Sequence, residues 1–192
     1  MISSLGARPG LKSSLFFLLA DIRRLSAVVA ELDISLETLD ALLDLTPLKQ
    51  DDEEVIAIPL ILRNCQLQTL VASFTTFAQP VVIENCSLEQ GVFMSCYFPA
   101  GLTLRNCQLR SELDFQCGGH NEPEATITLE DNIFDDFVNF YDCVFEGPVV
   151  VRNNRFRAGT NLLGNVGEPF AVHFEIPPVL ENNQGEMAKS GG

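Results

Sequence analysis

An Asn-Cys pair recurs every 21 residues through the middle of this chain. The pairs are Asn64-Cys65, Asn85-Cys86 and Asn106-Cys107, each between apolar residues, as in LILRNCQL and VVIENCSL. The pattern continues in weaker form as TITLEDNIF and VVVRNNRF. A fixed period near 20 residues is typical of a solenoid, in which each repeat forms one coil and neighbouring coils stack around a shared core.

The period divides the chain into about five coils of short strands. Large apolar residues recur five apart within a coil, and a smaller residue stands two positions before each, as strand alternation requires. Turn residues such as Pro80, Gly101 and Pro148 mark the ends of coils. The predicted coils are residues 60–80, 81–101, 102–125, 126–148 and 149–171, with a partial sixth from Val172. We expect the β-helix to span residues 55–180 and a flexible tail to follow over 181–192.

Five of the six cysteines follow the same period. Residues one coil apart stack about 4.8 Å from each other, so the spacing predicts two ladders, Cys65 with Cys86 and Cys107, and Cys96 with Cys117. Cys143 stands outside this spacing. We interpret the thiols as small buried apolar groups in a reducing cytoplasm, with disulfides as the alternative. Asn64, Asn85 and Asn106 would stack beside the first ladder.

Residues 1–54 differ from the rest. Apolar residues at helical spacing predict a helix over residues 13–32, and a second over 35–45 with Ser35 as its N-cap. The acidic run 51–54 then forms a linker to the β-helix. An open β-helix has unpaired strands at both ends, so these helices would cap the first coil. The alternative is that they form a helical dimer or dock a partner.

The five-residue step resembles that of the pentapeptide-repeat family over roughly residues 60–157. The small and large positions of that family match Cys86-Ser87-Leu88 and Cys96-Tyr97-Phe98. The resemblance implies a right-handed parallel β-helix with four sides. The middle position is rarely Asp or Asn here, and each coil has one extra residue. A three-sided β-helix of pectate-lyase type is the second likeness, because its coils also carry Asn at one turn.

Charge limits the partners. Acidic residues outnumber basic ones 26 to 12, a net charge of -14, which would repel a nucleic-acid backbone or an anionic membrane. No stretch reaches the roughly 20 apolar residues of a membrane helix. We therefore expect a cytoplasmic protein with a protein partner, one with a basic surface being compatible. A homodimer through the N-terminal helices or the β-helix ends is a further expectation.

No arrangement of residues predicts catalysis, and we expect neither a cofactor nor a metal. His120 lies in a loop inserted at residues 117–124 with Cys117, Glu122 and Glu124, but without the paired spacing of a zinc site. His173 is expected to point outward. One coil carries five carboxylates, which we take as a candidate interaction patch: Glu130, Asp131, Asp135, Asp136 and Asp142.

The leading functional hypothesis is a non-enzymatic scaffold for protein–protein interaction. The family resemblance implies an alternative, because some pentapeptide-repeat proteins imitate duplex DNA and bind DNA gyrase. Against it, Arg63, Arg105 and Arg152 recur at equivalent positions and would place positive charge along one line. A carbohydrate-active β-helix enzyme is a third hypothesis, with the acidic cluster as its source of carboxylates. A continuous acidic face would favour imitation of DNA, and an apolar exposed face would favour a scaffold.

Overall fold

The computed structural model describes residues 32–35, 42–49 and 54–191. Within these residues the regular structure consists of parallel β-strands and one 3-10 helix, Thr46–Leu48. The predicted parallel β-solenoid of about five coils is therefore confirmed. The second predicted helix, over residues 35–45, is wrong at residues 42–44, which form a strand. The first predicted helix, over residues 13–32, lies outside the described residues except at Leu32, which begins a strand, and Ser35, the predicted N-cap, ends that strand.

The strands are, in chain order, β1 (Leu32–Ser35), β2 (Leu42–Asp44), β3 (Val55–Ile56), β4 (Leu60–Arg63), β5 (Gln66–Val71), β6 (Thr76–Phe77), β7 (Val81–Glu84), β8 (Ser87–Val92), β9 (Leu102–Arg105), β10 (Gln108–Leu109), β11 (Leu113–Asp114), β12 (Ile127–Glu130), β13 (Ile133–Phe134), β14 (Val138–Asn139), β15 (Val144–Phe145), β16 (Val149–Arg152), β17 (Arg155–Phe156), β18 (His173–Phe174) and β19 (Val179–Glu181).

Strand pairing follows four columns around each coil. The first side is a seven-stranded sheet in the order β1-β4-β7-β9-β12-β16-β19. The second and third sides share one sheet, because β5 and β8 run through both; β10, β13 and β17 continue the second side, and β11 and β14 the third. The fourth side holds β3, β6, β15 and β18, joined through bridges at Tyr97 and Gly119.

The pairing register gives the coil boundaries. Equivalent positions on the first side are Leu60, Val81, Leu102, Ile127 and Val149. The fourth coil therefore starts one residue later than predicted. The larger difference is in the fifth coil, where the next first-side strand is β19 and not Val172. His173 instead pairs with Val144 on the fourth side, because extra residues after Leu162 lengthen this coil.

Strand alternation builds the core. Leu60 and Leu62 are buried, whereas Ile61 and Arg63 between them are partly exposed, and the same pattern recurs in β7, β12 and β16. Phenylalanines stack from coil to coil inside the solenoid, with ring centroids 4.9–5.4 Å apart, in the pairs Phe77–Phe98, Phe93–Phe115, Phe115–Phe140 and Phe134–Phe156. In-register stacking of identical apolar groups thus fills the interior without large changes of side-chain volume.

The solenoid begins before the predicted boundary at residue 55. β1 pairs with β4 in register, and β2 pairs with β5. Leu43 and Leu45 are both 0% exposed and join the core. The strands β1 and β2 pair with the backbone N–H and C=O groups at the open edges of β4 and β5. Side chains of a capping helix would satisfy fewer of these groups.

The predicted flexible tail, residues 181–192, starts at the last residue of β19, and its residues 182–191 lie against the fifth coil. The Thr160 amide donates to the Glu186 carbonyl, and the Lys189 amide donates to the Thr160 carbonyl. The Asn161 side chain donates to the Gly191 carbonyl at 2.6 Å. Met187 packs against the core cluster, so this segment covers part of the last coil.

Candidate functional site

The recurrent asparagines occupy the corner between the first and second sides. Asn64, Asn85 and Asn106 have φ angles of 55°, 56° and 51°. Among residues with a side chain, Asn and Asp adopt this left-handed conformation most readily. Asp131, Asn153 and Asn182 occupy the same corner of later coils, also at positive φ. Their side chains bond along the axis, as in Asn106 Nδ2 to Asn85 Oδ1 at 2.7 Å.

The next residue of each coil points inward and forms a second ladder. Its members are, in order, Cys65, Cys86, Cys107, Asn132, Asn154 and Asn183. The Asn132 amide nitrogen donates to Asn154 Oδ1 at 3.0 Å, and the Asn132 side chain donates to the Leu104 carbonyl at 2.8 Å. The thiols repeat this arrangement, since the Cys86 amide donates to Cys107 Sγ at 3.4 Å and that thiol lies 3.5 Å from the Ile83 carbonyl.

The thiols of Cys86 and Cys107 are hydrogen-bonded to each other, and this bond shifts their pKa values in opposite directions. The hydrogen bond between the two side chains raises the pKa of Cys86 to about 12, with burial adding to the rise. The same hydrogen bond lowers the pKa of Cys107. Both residues are buried, so the ladder stabilises the corner and does not present a nucleophile to solvent.

The second predicted ladder differs in the structure. Tyr97 pairs with Gly119, which places Gly118 beside Cys96. The Val144 amide donates to the Gly118 carbonyl, so Cys143 continues this inner column. Cys117 lies one position earlier, at a corner of positive φ shared with Ser95 and Asp142. The coil from Leu102 is longer than those before it, and this displaces Cys117 by one residue.

The five carboxylates of the candidate patch are spread around the perimeter of one coil and do not form a cluster. Glu130 pairs with Arg105 at 2.9 Å on the first side, and Asp131 lies at the corner that follows, where it accepts from Asn153. Asp135 pairs with Arg157 at 2.7 Å. Asp136 precedes the third side, and Asp142 lies beside Cys117 at the next corner. Two of the five are thus neutralised by arginines of neighbouring coils.

The inserted loop brings together a different set from the one considered in the sequence. His120 Nδ1 lies 3.1 Å from Glu146 Oε1, and its ring contacts Tyr97 with centroids 4.4 Å apart. Glu122 and Glu124 are exposed and Cys117 is at another corner. His173 is exposed and lies 3.1 Å from Glu175. In the described part of the chain, no three His, Cys, Asp or Glu side chains are grouped to hold a metal ion.

The outer surface of the first side carries a ladder of alternating charge. Its members, one per coil, are Arg63, Glu84, Arg105, Glu130, Arg152 and Glu181. Arg63 pairs with Glu84 at 3.3 Å, Arg105 with Glu130 at 2.9 Å, and Arg152 with Glu181 at 3.0 Å. Arg105 also reaches Glu84 at 3.5 Å, and Asp33 pairs with Arg63 at 3.3 Å. We call the six residues from Arg63 to Glu181, without Asp33, the charge ladder.

The charge ladder corrects the expectation of a line of positive charge. Arg63, Arg105 and Arg152 are equivalent by position, but they occupy alternate coils, and glutamates fill the coils between them. Like charges directly opposite on neighbouring strands repel, so charges can stack only in alternation. The signal was present in the sequence, in the last residue of each first-side strand from β4 to β19.

A row of β-branched residues runs beside the charge ladder on the same surface. Its members, one per coil, are Ile61, Val82, Thr103, Thr128, Val150 and Val179. The first five are partly exposed, and Val179 is 39% exposed. We call this set the β-branched row. A continuous sheet surface that shows apolar methyl groups beside paired charges suits contact with another protein.

Comparisons with family models, with curated proteins and with solved structures found no match to this chain. Among the described residues, no helix is long and apolar enough to cross a membrane.

Proposed function

We propose that this chain is a non-enzymatic protein-binding solenoid and that it binds its partner through the first side. The single observation that carries the proposal is the outer surface of that sheet, where the β-branched row lies beside the charge ladder across consecutive coils. Its main-chain groups are paired within the sheet, so a partner meets side chains on a preformed surface. A rigid surface loses little conformational entropy on binding.

The charge distribution supports a scaffold over imitation of DNA. The first side alternates in sign, and the carboxylates of the candidate patch are dispersed around the coil, two of them paired with arginine. The net charge of -14 supports a partner whose surface is basic outside the contact, because long-range attraction speeds association. Assignment to the pentapeptide-repeat family is supported by the four columns of each coil.

A matched pair of variants tests the binding face. Thr103→Arg places a long charged side chain in the β-branched row, and Thr69→Arg makes the same change on the outer surface of the third side. Both threonines are partly exposed strand residues, so the effects on folding should be similar. Tagged wild-type and variant proteins are used to capture partners from native lysate.

The proposal predicts that Thr103→Arg loses the partners that wild type and Thr69→Arg both retain. Equal capture by all three proteins would show that the first side is not the binding face. Loss with Thr69→Arg alone would place binding on the third side instead. Circular dichroism of both variants controls for loss of the fold.

A further inference from the structure

We propose that the first side also binds a second copy of this chain, face to face and with the order of coils reversed. The inference rests on the proposed function, because it uses the same surface and names one occupant for it. Two symmetric patterns on that surface, one of charge and one of side-chain type, carry it independently. Isologous contacts of this kind form closed two-fold dimers.

The charge ladder is complementary to itself when reversed. It has six members in strict alternation, beginning with Arg63 and ending with Glu181. A two-fold axis in the plane of the contact, parallel to the strands and between Arg105 and Glu130, superposes the two ladders in opposite order. Arg63 then faces Glu181 of the second copy, Glu84 faces Arg152, and Arg105 faces Glu130. An odd number of charges would have placed like on like.

The β-branched row has the same symmetry about the same axis. In order it reads Ile61, Val82, Thr103, Thr128, Val150, Val179. Reversal places Ile61 against Val179, Val82 against Val150, and Thr103 against Thr128 of the second copy. Each contact joins side chains of the same kind and nearly the same volume, so apolar methyl groups meet each other and hydroxyls meet hydroxyls.

Other ways of stacking two copies lose these pairings. A two-fold axis along the solenoid would place the charge ladder against the β-branched row, which removes charged groups from water and supplies them with only apolar methyl groups from the second copy. Two copies facing with coils in the same order and in register would place Arg63 on Arg63. The reversed arrangement is the one of the three that matches both patterns.

The contact is small, which sets its strength. The six strands that overlap in this arrangement, β4 to β19, about 4.8 Å apart and each about four residues long with a rise of about 3.3 Å per residue, cover roughly 380 Å² per copy. Stable interfaces bury about 1,200–2,000 Å² in total, so the dimer is weak and reversible. The net charge of -14 on each copy is screened beyond about 8 Å at physiological ionic strength, whereas directly opposed pairs remain.

Sedimentation velocity of the full chain over a wide concentration range, up to hundreds of micromolar and at physiological salt, tests the proposal. Wild type should pass from monomer to dimer mass, Thr69→Arg should follow it, and Thr103→Arg should remain monomeric. A wild type that stays monomeric throughout would overturn the inference. So would a Thr103→Arg protein that dimerises like wild type.

A reversed charge ladder supplies a second, independent test. The variant exchanges the sign of all six members, by Arg63→Glu, Glu84→Arg, Arg105→Glu, Glu130→Arg, Arg152→Glu and Glu181→Arg, and adds Asp33→Lys to keep the ion pair between residues 33 and 63. Alternation within the chain is kept, so the variant should dimerise with itself as wild type does. It should not pair with labelled wild type, because every facing pair would then carry like charges. Mixed dimers would overturn the reversed arrangement.

The two proposals fail separately. If the wild type stays monomeric but Thr103→Arg still loses the partners captured from lysate, the proposed dimer is overturned and the first side is retained as the partner-binding face. Capture that is insensitive to Thr103→Arg would count against the face itself. If circular dichroism shows that the reversed-ladder variant does not fold, the sedimentation of Thr103→Arg and Thr69→Arg alone tests the proposed dimer.

Discussion

Two neighbouring residues at one corner explain why Asn-Cys recurs in this chain. The Asn takes the left-handed conformation that turns the chain, and the Cys points inward beneath the backbone of the adjacent coil. In the later coils Asn replaces Cys at the inward position, as in Asn132 and Asn154. A thiol and a carboxamide are interchangeable here because each both accepts from a buried N–H and donates to a buried carbonyl.

Asn132→Ala should lower the free energy of unfolding by about 2–4 kcal/mol, because the Cys107 amide and the Leu104 carbonyl both lose their partner within the core. Asn132→Cys is the matched control and should cost less, since Cys107 makes the equivalent contacts with a thiol. Urea unfolding followed by circular dichroism measures both. An equal decrease in the free energy of unfolding for the two variants would contradict the claim that a thiol can replace the carboxamide at this position.

The buried thiol of Cys96 should make the fold sensitive to alkali. Burial raises the pKa of Cys96 from 9.0 to about 12, so its contribution to stability is complete below pH 9 and is lost as the pH rises toward 12. At pH 10.5 the loss is about 2 kcal/mol. Unfolding of wild type and Cys96→Ala under reducing conditions at pH 8 and 10.5 should show the smaller decline in the variant. Equal declines would exclude this thiol as the cause.

At the scale of elements, the third coil shows how an insertion is accommodated. The phenylalanine column of the fourth side is interrupted there, because Gly119 pairs with Tyr97 and Val144, which places His120 where Phe98 and Phe145 lie in the adjacent coils. Gly119 has φ +98°, and a Cβ on it would meet the Phe145 ring at 2.9 Å. The glycine lets the backbone pass while His120 turns outward to Glu146.

Gly119→Ala should therefore destabilise the protein by about 2–3 kcal/mol, from the strained φ together with the clash against Phe145 and the Val144 carbonyl. Gly167→Ala is the matched control. Gly167 also has positive φ, at +85°, but nothing lies within 4 Å of an added Cβ, so its cost should be about 1 kcal/mol. Thermal unfolding of the two variants compares them. A similar Tm for both would contradict a packing role for Gly119.

The sequence predicted the central coils well and the ends poorly, for a physical reason. Where coils keep 21 residues, position alone gives the pairing partner, and the strands beginning at Leu60, Val81 and Leu102 follow it. The loop inserted at residues 117–124 was visible in the sequence, but the one extra residue before Leu113 and the residues added after Leu162 have no compositional mark. Cys117 and the coil after Val149 were misplaced for this reason. At the N-terminus, Leu42 and Leu43 fit helical spacing, but the open edge of the first coil is satisfied by a strand.

At the scale of the whole molecule, in-register stacking is both the source of the fold and the limit on its surface. Apolar and amide side chains can repeat in every coil, whereas charges must alternate, and this produced the charge ladder. The candidate patch failed as a cluster for the same reason, because residues of one coil surround the axis. A binding surface on a solenoid is built from equivalent positions of successive coils, and sequence proximity does not reveal it.

Carboxyl footprinting tests the binding face most directly. It compares the wild-type protein alone with the wild-type protein in complex with a partner captured from native lysate. Glu84 and Glu130 lie on the first side, and Glu112 and Asp136 are exposed carboxylates at the start of the third. Binding should reduce labelling of Glu84 and Glu130 severalfold and leave Glu112 and Asp136 unchanged. Protection of Glu112 and Asp136, with Glu84 and Glu130 labelled as in the free protein, would contradict the account.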